Sequence, residues 1–526
     1  MSFETYKISS RTLILLILGM LALRLLSLGF YPLMDTTESR YAEIARIMHA
    51  SGDWITPWYP PTGRCIEGQP FWGKPPLSFW STAISYSVFG VSEFSARLPS
   101  LVFAAFMAFL AFKLVEGLTG DRKAGLVAAF ILLSMGGMTV LSGMVSTDMS
   151  LMASIMLSLT AFMLAVQKNG TAAGKLWGFL FFVGLAMSML SKGPVGVVFT
   201  MCPVVGWTIL TGNYRKAWSA LPWITGTLVA LAISAPWYVL AERKTPGFLN
   251  YFIVGEHFNR FLKPGWSGDL YGNAHVQLRG MVWAYFAMDT LPWLVPALIA
   301  IVAWRMKKIR LDNESAMKSH LLFLALWMAG PLLLFTVARN IQATYPMPAV
   351  PAFAVMIALL LYSGAGSGAV PPKWWLSWIF KPATLVVVFC ILLVVGPVVF
   401  LGILPKKAQL RSHKGIITAI GKDMAGRNGR INYFMDIMFS AQFYSSGKVV
   451  YICKDNALAQ SVNDGVFDYY VLENTPELRQ RFLAVCGDKV EEIPSPHKKY
   501  LIFREIRSPG KTPKPDIVGK QAVVKS

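Results

Sequence analysis

The stretch Thr12–Phe30, TLILLILGMLALRLLSLGF, decides the fold class of this chain. A helix needs roughly 17–20 apolar residues to cross the hydrocarbon of a bilayer, and this run is long enough. Similar runs recur at Leu98–Val115, Leu126–Val145, Leu321–Val337 and Thr384–Leu404. The pattern predicts an α-helical polytopic membrane protein. No small-residue cleavage site follows the first run, so we expect a retained span rather than a removed signal peptide.

The composition agrees with a membrane protein. The 526 residues are 54% hydrophobic and 15% charged, whereas about a quarter of the residues of a soluble protein are charged. The net charge of +21 lies mainly in short loops between apolar runs, a pattern typical of membrane orientation and of contact with anionic lipid headgroups. An organised basic and aromatic surface is not seen, so we expect no nucleic-acid partner.

Basic loops predict the topology. Lys7 and Arg11 precede the first span and place the N-terminus in the cytoplasm. Further spans are predicted near 98–118, 124–145, 150–167, 177–191, 193–210, 218–240, 281–304, 319–338, 345–362 and 383–404. This makes about eleven transmembrane helices, or thirteen if the apolar stretch 76–90 hides a further pair. We favour a re-entrant or surface-lying helix at 76–90, with the C-terminus on the outer face.

The composition also predicts the domains. Residues 1–405 form a transmembrane domain whose first outer loop is 31–97, and 506–526 form a disordered tail. Between them, 406–505 alternates strand-like runs near 430–435, 448–453, 467–473 and 499–504 with helical stretches near 414–425, 437–446 and 476–486. This alternation predicts a small α/β domain. Cys453 and Cys486 both fall in it and would pair if it faces an oxidising compartment.

The predicted topology gathers several polar residues on the outer face. In the first loop, Asp35 is followed by Glu38 and a short amphipathic helix. Asp35 has two interpretations: an N-cap whose capping box Glu38 completes, or a carboxylate at the membrane edge that binds a metal or acts as a base. Lys74, before Pro75, is either a snorkelling interfacial lysine or a cation that faces a lipid phosphate.

Other candidates follow along the chain. Asp148 stands between two apolar runs, as a helix cap or as a functional acid. Lys192 is a lone cation beside hydrocarbon, where a charge is costly without a partner, so we assign it a function. His257 and Arg260 would share one face of a helix, and Tyr345 lies at an outer helix break. Cations suit a phosphate-bearing ligand, carboxylates suit a metal or an acceptor proton, and apolar walls suit a polyprenyl tail.

The chain resembles the bacterial lipid A aminoarabinose transferases, within the dolichyl-phosphate-mannose protein mannosyltransferase superfamily. The resembling pieces are Asp35–Arg46, Ser51–Trp54, Lys74-Pro75, Gly90–Leu98, Lys192-Gly193, Glu256–Phe261 and Thr344–Pro346, in family order over roughly the first 360 residues. The resemblance implies a type C glycosyltransferase fold and an undecaprenyl-phosphate sugar donor. It further implies reaction on the periplasmic face of the inner membrane, with inversion at the anomeric carbon.

The resemblance also implies roles for single residues. Asp35 would be the key carboxylate, with Asp148 and Glu38 near it as further catalytic acids. The donor phosphate would be held by a set of four residues, Lys74, Lys192, Arg260 and Tyr345. His257 would belong to a divalent metal site. The family carries Glu directly before the lysine, as Glu-Lys-Pro, where this chain has Gly73, so the metal is in doubt unless Glu67 substitutes.

The predicted function is therefore transfer of a monosaccharide, aminoarabinose or similar, from undecaprenyl phosphate to lipid A or another envelope acceptor. Three alternatives stay open. The first is transfer of a hexose or uronic acid to lipopolysaccharide core, another glycan or a protein. The second is a lipid or sugar transporter, although no clear internal repeat is found. The third is a membrane-anchored binding protein that works through its C-terminal domain.

Overall fold

The computed structural model describes residues 8–61, 68–263, 266–271, 276–305, 314–366, 398–424 and 429–506, with 387, 388, 391 and 396. By its internal packing the chain forms two units. The membrane unit comprises Met1–Tyr31, Ile44–Trp58 and Pro70–Pro405. The second unit comprises Pro32–Glu43, Tyr59–Gln69 and Lys406–Ser526. Most of the predicted C-terminal tail lies outside the described residues.

Helices make up nearly all regular structure before residue 366. They are α1 Ser10–Ser27, α2 Thr37–Ser51, α3 Leu77–Phe89, α4 Glu93–Thr119, α5 Arg122–Leu133, α6 Gly136–Leu141, α7 Thr147–Gln167, α8 Ala172–Lys192, α9 Pro194–Thr211, α10 Tyr214–Ala220, α11 Trp223–Lys244, α12 Arg260–Leu262, α13 Met281–Thr290, α14 Leu294–Arg305, α15 Glu314–Val337 and α16 Val350–Gly366. A π-helical segment, Asn250–Asn259, precedes α12, and a 3₁₀ turn, Met347–Ala349, precedes α16. Two short strands, β1 Trp58–Tyr59 and β2 Gln69–Pro70, form a two-stranded sheet.

Seven helices of the described residues are long and apolar enough to cross a membrane, namely α1, α4, α7, α8, α9, α11 and α15. Other predicted spans are interrupted. The span near 281–304 is two helices because Leu291 precedes Pro292 and is extended, at φ −62° and ψ 145°, as a residue before proline prefers to be. The span near 124–145 ends at Leu133 and resumes as the short α6. Half of the span near 383–404 lies outside the described residues, and 76–90 contains the 13-residue α3.

Helix α7 lies at the centre of the membrane unit, and 94% of its apolar 18-residue stretch is buried. Its small residues let α8 approach closely: a Cβ added to Gly184 of α8 would lie within 2.8 Å of the Ser154 carbonyl oxygen. Small residues at such an interface are typical of packed membrane helices. A short loop joins α7 to α8, so the two helices run antiparallel. The start of α7 and the end of α8 therefore lie at the same end of the helix pair.

The second unit is built on a five-stranded sheet. Its strands are β3 Gly429–Phe434, β4 Val450–Ile452, β5 Phe467–Glu473, β6 Val490–Ile493 and β7 Tyr500–Glu505, in the order β4-β3-β5-β7-β6. Strands β4, β3 and β5 are parallel, and β7 and β6 are antiparallel to their neighbours. Its helices are α17 Leu404–Gln409, α18 Lys414–Asp423, α19 Phe439–Tyr444, α20 Asp455–Ser461 and α21 Pro476–Cys486, and a π-helical segment, Val398–Ile403, precedes α17.

Alternating strand residues supply two separate cores, one on each face of this sheet. Tyr469 and Val471 pack in one cluster, and Tyr470 and Leu472 pack in the other. The small α/β domain expected from the strand-like runs is thus present. The predicted pairing of Cys453 with Cys486 is wrong. Cys453 is disulfide-bonded, but Cys486 is a free and buried thiol.

Candidate functional site

The first element of the site is an ion pair between α7 and α8. Lys192 Nζ lies 2.5 Å from Asp148 Oδ1, and both side chains are largely buried. The local sequence explains their positions. Gly193 adopts φ +73° and Pro194 begins α9, so α8 stops at Lys192. Ser146, rather than Asp148, is the N-cap of α7, because its hydroxyl accepts the N–H of Asp148; the cap interpretation of Asp148 is therefore wrong.

The second element is a cluster of two cations around one carboxylate. Glu256 Oε2 lies 3.0 Å from Lys74 Nζ and 3.0 Å from an Arg260 terminal nitrogen. Tyr251 donates its hydroxyl to the other oxygen of Glu256 at 3.3 Å. Burial alone would raise the pKa of Glu256, but the charges of Lys74 and Arg260 outweigh burial and lower it to about 2. Glu256 is therefore ionised at neutral pH and holds both cations in place.

His257 connects these two elements. Its Nδ1 lies 2.8 Å from the Phe252 carbonyl oxygen, and its Nε2 lies 3.1 Å from the Lys192 carbonyl oxygen. Burial lowers the pKa of the imidazole, and a neutral ring donates a single N–H, so one of the two contacts is a hydrogen bond at a time. The segment Asn250–Asn259 is π-helical, and Arg260 begins α12.

The predicted metal site is not assembled around His257. Among the described residues, no group of three or more His, Cys, Asp and Glu side chains is arranged to hold a metal ion. The neighbouring carboxylate, Glu256, is engaged by two cations. Glu67 lies outside the described residues. The residues present around the imidazole thus do not fit a metal ion by themselves, and a metal at His257 stays a prediction.

Both ion-pair elements open into one cavity of about 620 Å³ in the membrane unit. Its polar lining contains the four predicted phosphate-binding residues, Lys74, Lys192, Arg260 and Tyr345. Asp148 and His257 also line it. Its remaining walls are mostly apolar, with residues such as Val198, Phe199, Phe252, Leu334 and Phe335. Lys192 Nζ lies 6.0 Å from the centre of the Tyr345 ring. The arrangement suits a ligand with an anionic head and a hydrocarbon tail.

Two buried polar atoms of this lining have no hydrogen-bond partner within the described chain, the Nε of Arg260 and the hydroxyl of Thr344. Buried polar groups are normally paired, but these two atoms have almost no accessible surface, so a ligand oxygen reaches them only if the side chains turn. Asn340 holds the backbone of Arg260, because its side-chain amide donates to the Arg260 carbonyl oxygen at 2.7 Å. Asn340, Thr344 and Glu256 were not selected as site residues from the sequence, although the Glu256–Arg260 spacing of four was a usable signal.

Asp35 and Glu38 belong to the second unit, and their contacts lie within it. The Asp35 carboxylate accepts the hydroxyls of Ser39 and Ser440 and the N–H of Ser440. Its own N–H donates to the Arg411 carbonyl oxygen, and Glu38 accepts the N–H of Met34. The capping-box interpretation is therefore wrong. Burial raises the pKa of Asp35 to about 6, against the lowering effect of the serine hydrogen bonds.

The departure at Gly73 is structural as well as chemical. A Cβ added there would lie 2.9 Å from the ring of Phe71 and 3.4 Å from that of Tyr271. The two rings pack against each other with centroids 4.7 Å apart. Aromatic side chains thus occupy the space beside residue 73, and the glutamate expected from the family would require Phe71 to move.

Comparison with known proteins agrees with the resemblance predicted from the sequence. Residues 9–252 match the family model described as dolichyl-phosphate-mannose-protein mannosyltransferase. The chain is 29% identical, over 344 residues, to the undecaprenyl phosphate-alpha-4-amino-4-deoxy-L-arabinose arabinosyl transferase of Aeromonas hydrophila, covering 64% of this chain and 57% of that protein. It is 28% identical to the protein of the same name from an Enterobacter species, covering 66% and 59%. The chain thus spans under two thirds of the length of these relatives.

A solved structure shows the fold. ArnT from Cupriavidus metallidurans, crystallised with undecaprenyl phosphate, superposes with a TM-score of 0.73 at 19% identity, covering 95% of this chain and 99% of that one. The resemblance to the aminoarabinose transferases is confirmed. So is the predicted fold class, a polytopic helical protein of the type C glycosyltransferase fold with a small α/β domain.

Proposed function

We propose that this chain is a glycosyltransferase of the bacterial inner membrane that takes a monosaccharide from undecaprenyl phosphate. The sugar is aminoarabinose or a similar one, and the acceptor is lipid A or another molecule of the envelope. One observation carries the proposal: Lys74, Lys192 and Arg260, distant in sequence, line a single cavity whose other walls are mostly apolar. The names of the similar proteins support the donor.

The donor phosphate binds among these cations. Each cation is already held by a carboxylate, Asp148 for Lys192 and Glu256 for Lys74 and Arg260. A third carboxylate, Asp269, lies 3.8 Å from Arg260, so three carboxylates face the three cations and the phosphate binds to cations that are already paired. Arg260 lines the cavity, and Tyr345 lies beside Lys192 to contact the same group. The prenyl chain follows the apolar wall.

The reaction breaks the bond between the anomeric carbon and the phosphate oxygen and forms a bond from that carbon to an acceptor oxygen, with inversion. The leaving undecaprenyl phosphate gains a negative charge as the bond breaks. Lys74, Lys192 and Arg260 stabilise this developing charge, which is where fixed cations accelerate a transfer most. If the acceptor is a phosphate of lipid A, its oxygen is already anionic; if it is a hydroxyl, its proton goes to a carboxylate.

Asp35 is the carboxylate proposed for the reacting sugar or the acceptor proton, with Asp148 and Glu38 as supporting acids. A pKa of about 6 suits Asp35 to this work near neutral pH. Asp148 acts through Lys192, which it orients by a direct ion pair. We assign no step to a metal ion.

A different sugar is the second candidate, and Gly73 favours it. The space beside this residue is filled by Phe71 and Tyr271 instead of the family's glutamate. A carboxylate at that place is suited to an amino sugar or a metal, and its absence favours a donor sugar without an amine. A hexose, or another sugar without an amine, is therefore the alternative donor group.

We further propose that the N-terminus is cytoplasmic and the second unit periplasmic. The basic loops favour this orientation. The disulfide at Cys453 also supports it, because disulfides form in the periplasm and are rare in the cytosol.

The test is mass spectrometry of lipid A and lipopolysaccharide core from cells with and without the gene. A pentosamine lost with the gene would support the first candidate, and a hexose or uronic acid lost would support the second. Complementation with the wild type should restore the mass, whereas Lys192→Met should not. Unchanged lipid A and core masses would contradict transfer to these acceptors.

A further inference from the structure

The side chain of Asp35 is held by residues from both ends of the chain. Ser39 supplies one hydroxyl from α2, and Ser440 supplies a second hydroxyl and a backbone N–H from α19. All three donors reach the carboxylate within the second unit. The N–H of Ser440 lies 3.1 Å from Asp35 Oδ1, and its hydroxyl reaches Oδ2, so both oxygens of the carboxylate are engaged by one residue.

Ser440 is itself fixed in position. It is fully buried, and its oxygen accepts the N–H of His413 at 2.9 Å. The hydroxyl therefore has its own proton left for one acceptor, and that acceptor is Asp35. A serine in this position cannot turn to solvent, so its bond to the carboxylate is built into the packing of the sheet domain.

Backbone contacts hold the segment that bears Asp35 against the same domain. The N–H of Asp35 donates to the Arg411 carbonyl oxygen at 2.7 Å, and the N–H of Leu33 donates to the Tyr444 hydroxyl at 2.7 Å. Both partners flank the Ser440 contact, one before α18 and one at the end of α19. The position of Asp35 is thus set by several independent contacts with residues beyond 406.

The other titratable groups that face Asp35 also come from the second unit. Asp436 repels its negative charge and raises its pKa. Burial is the main cause that raises the pKa of the Tyr433 and Tyr500 phenols, and the charge of Asp35 raises both further. His413 bonds the Tyr433 hydroxyl at 2.9 Å, and burial lowers its pKa to about 3. At neutral pH the two phenols and the imidazole are therefore uncharged, and the serines are the groups that stabilise the ionised carboxylate.

We propose that Ser440 is a positioning residue for the catalytic carboxylate of Asp35. The inference rests on the proposed glycosyltransferase function. Asp35 must be ionised in either of its roles, as a base toward a hydroxyl or as a partner of a sugar amine. A donor that stabilises the anion keeps the carboxylate active at lower pH.

The test is the pH dependence of transfer by the full-length protein with Ser440→Ala. The substrates are undecaprenyl phosphate-aminoarabinose and lipid A. In the wild type, kcat/KM should fall on the acid side with an apparent pKa of about 6. Loss of the hydroxyl should shift this fall, the acid limb of the pH profile, to higher pH by about one unit, because a hydrogen bond to a carboxylate lowers its pKa. Activity should then fall about fivefold at pH 6 and about tenfold at pH 5, while activity at pH 8–9 recovers.

Two further variants make the test specific. Ser440→Thr keeps the hydroxyl and should keep the wild-type limb. Ser461→Ala is the matched control, because Ser461 donates its hydroxyl to another buried aspartate of the same domain, Asp468. It should lower stability without moving the limb. A folded Ser440→Ala protein is recognised by recovery of activity at high pH.

The results separate two kinds of failure. If the wild type transfers sugar and Ser440→Ala keeps its acid limb, the positioning role is overturned and the proposed function stands. An equal shift in Ser461→Ala would also overturn it, since the effect would then be a general property of the domain. If the wild type gives no transfer from this donor, the proposed function with aminoarabinose fails, and this inference fails with it.

Discussion

Replacement of Glu256 by glutamine should destabilise the ligand-free protein. It should also increase the rise in unfolding temperature that a prenyl phosphate produces. Glu256 is 5% exposed and contacts Lys74 and Arg260 at 3.0 Å each. Glutamine keeps the volume of the side chain but removes the charge that balances both cations. Lys74 would then lose its carboxylate partner, and Arg260 would keep only Asp269, at 3.8 Å; removing one member is the costly way to break a buried ion pair.

The magnitude follows from the pKa. A fall from 4.5 to about 2 on folding corresponds to about 3 kcal/mol of stabilisation by the ionised form. Because the folded-state pKa is the lower one, this stabilisation is fully present above pH 4.5 and is lost as the pH falls toward 2. At pH 7 Glu256→Gln should therefore unfold at a temperature several degrees below the wild type.

The assay is thermal unfolding in detergent, with and without undecaprenyl phosphate. The ligand should raise the unfolding temperature of Glu256→Gln more than that of the wild type, because its phosphate replaces the missing anion. Glu116→Gln is the control: Glu116 pairs with Lys113 at 2.8 Å, but both side chains are about a third exposed, and such pairs contribute less than about 1 kcal/mol. An unchanged unfolding temperature without ligand, or a smaller response to ligand than in the wild type, would refute the role of Glu256.

Three further predictions concern single residues. Lys192→Met should lower kcat/KM for transfer at least a hundredfold by removing a cation from the leaving phosphate; activity within threefold of the wild type would contradict it. Arg260→Lys should also reduce transfer by tenfold or more, since lysine lacks the planar, forked set of donors with which arginine contacts Glu256 and a phosphate oxygen; full activity would show that a single charge suffices. In denatured protein a thiol reagent should label Cys486 directly but Cys453 only after reduction, and direct labelling of both would exclude the disulfide.

Much of the fold follows from residue patterns. Apolar length predicted the long helices, since crossing hydrocarbon needs a helix of defined length whatever its neighbours are. Alternating runs similarly predicted the strands of the second unit. One failure has a local cause: Pro292 interrupts an apolar stretch that hydropathy treats as continuous.

Part of the candidate site was also predictable, chiefly the cations. Lys192 stood out because an isolated charge beside apolar stretches needs a partner, and the partner is Asp148. The role of Glu256 required knowledge of which side chains meet, because Lys74 is 182 residues away in sequence. Ser440 could not be selected at all, since it contacts Asp35 across 405 residues of chain and serine is common in loops and helices.

The measurement that tests the central claim most directly is retention of lipid by the purified protein in native mass spectrometry. Undecaprenyl phosphate is compared with undecaprenol, which has the same prenyl chain and no phosphate. The wild type should retain one undecaprenyl phosphate in strong preference to the alcohol, and Lys192→Met should lose most of that preference. Equal retention of the two lipids by the wild type would contradict a cavity in which Lys74, Lys192 and Arg260 bind the prenyl-linked phosphate.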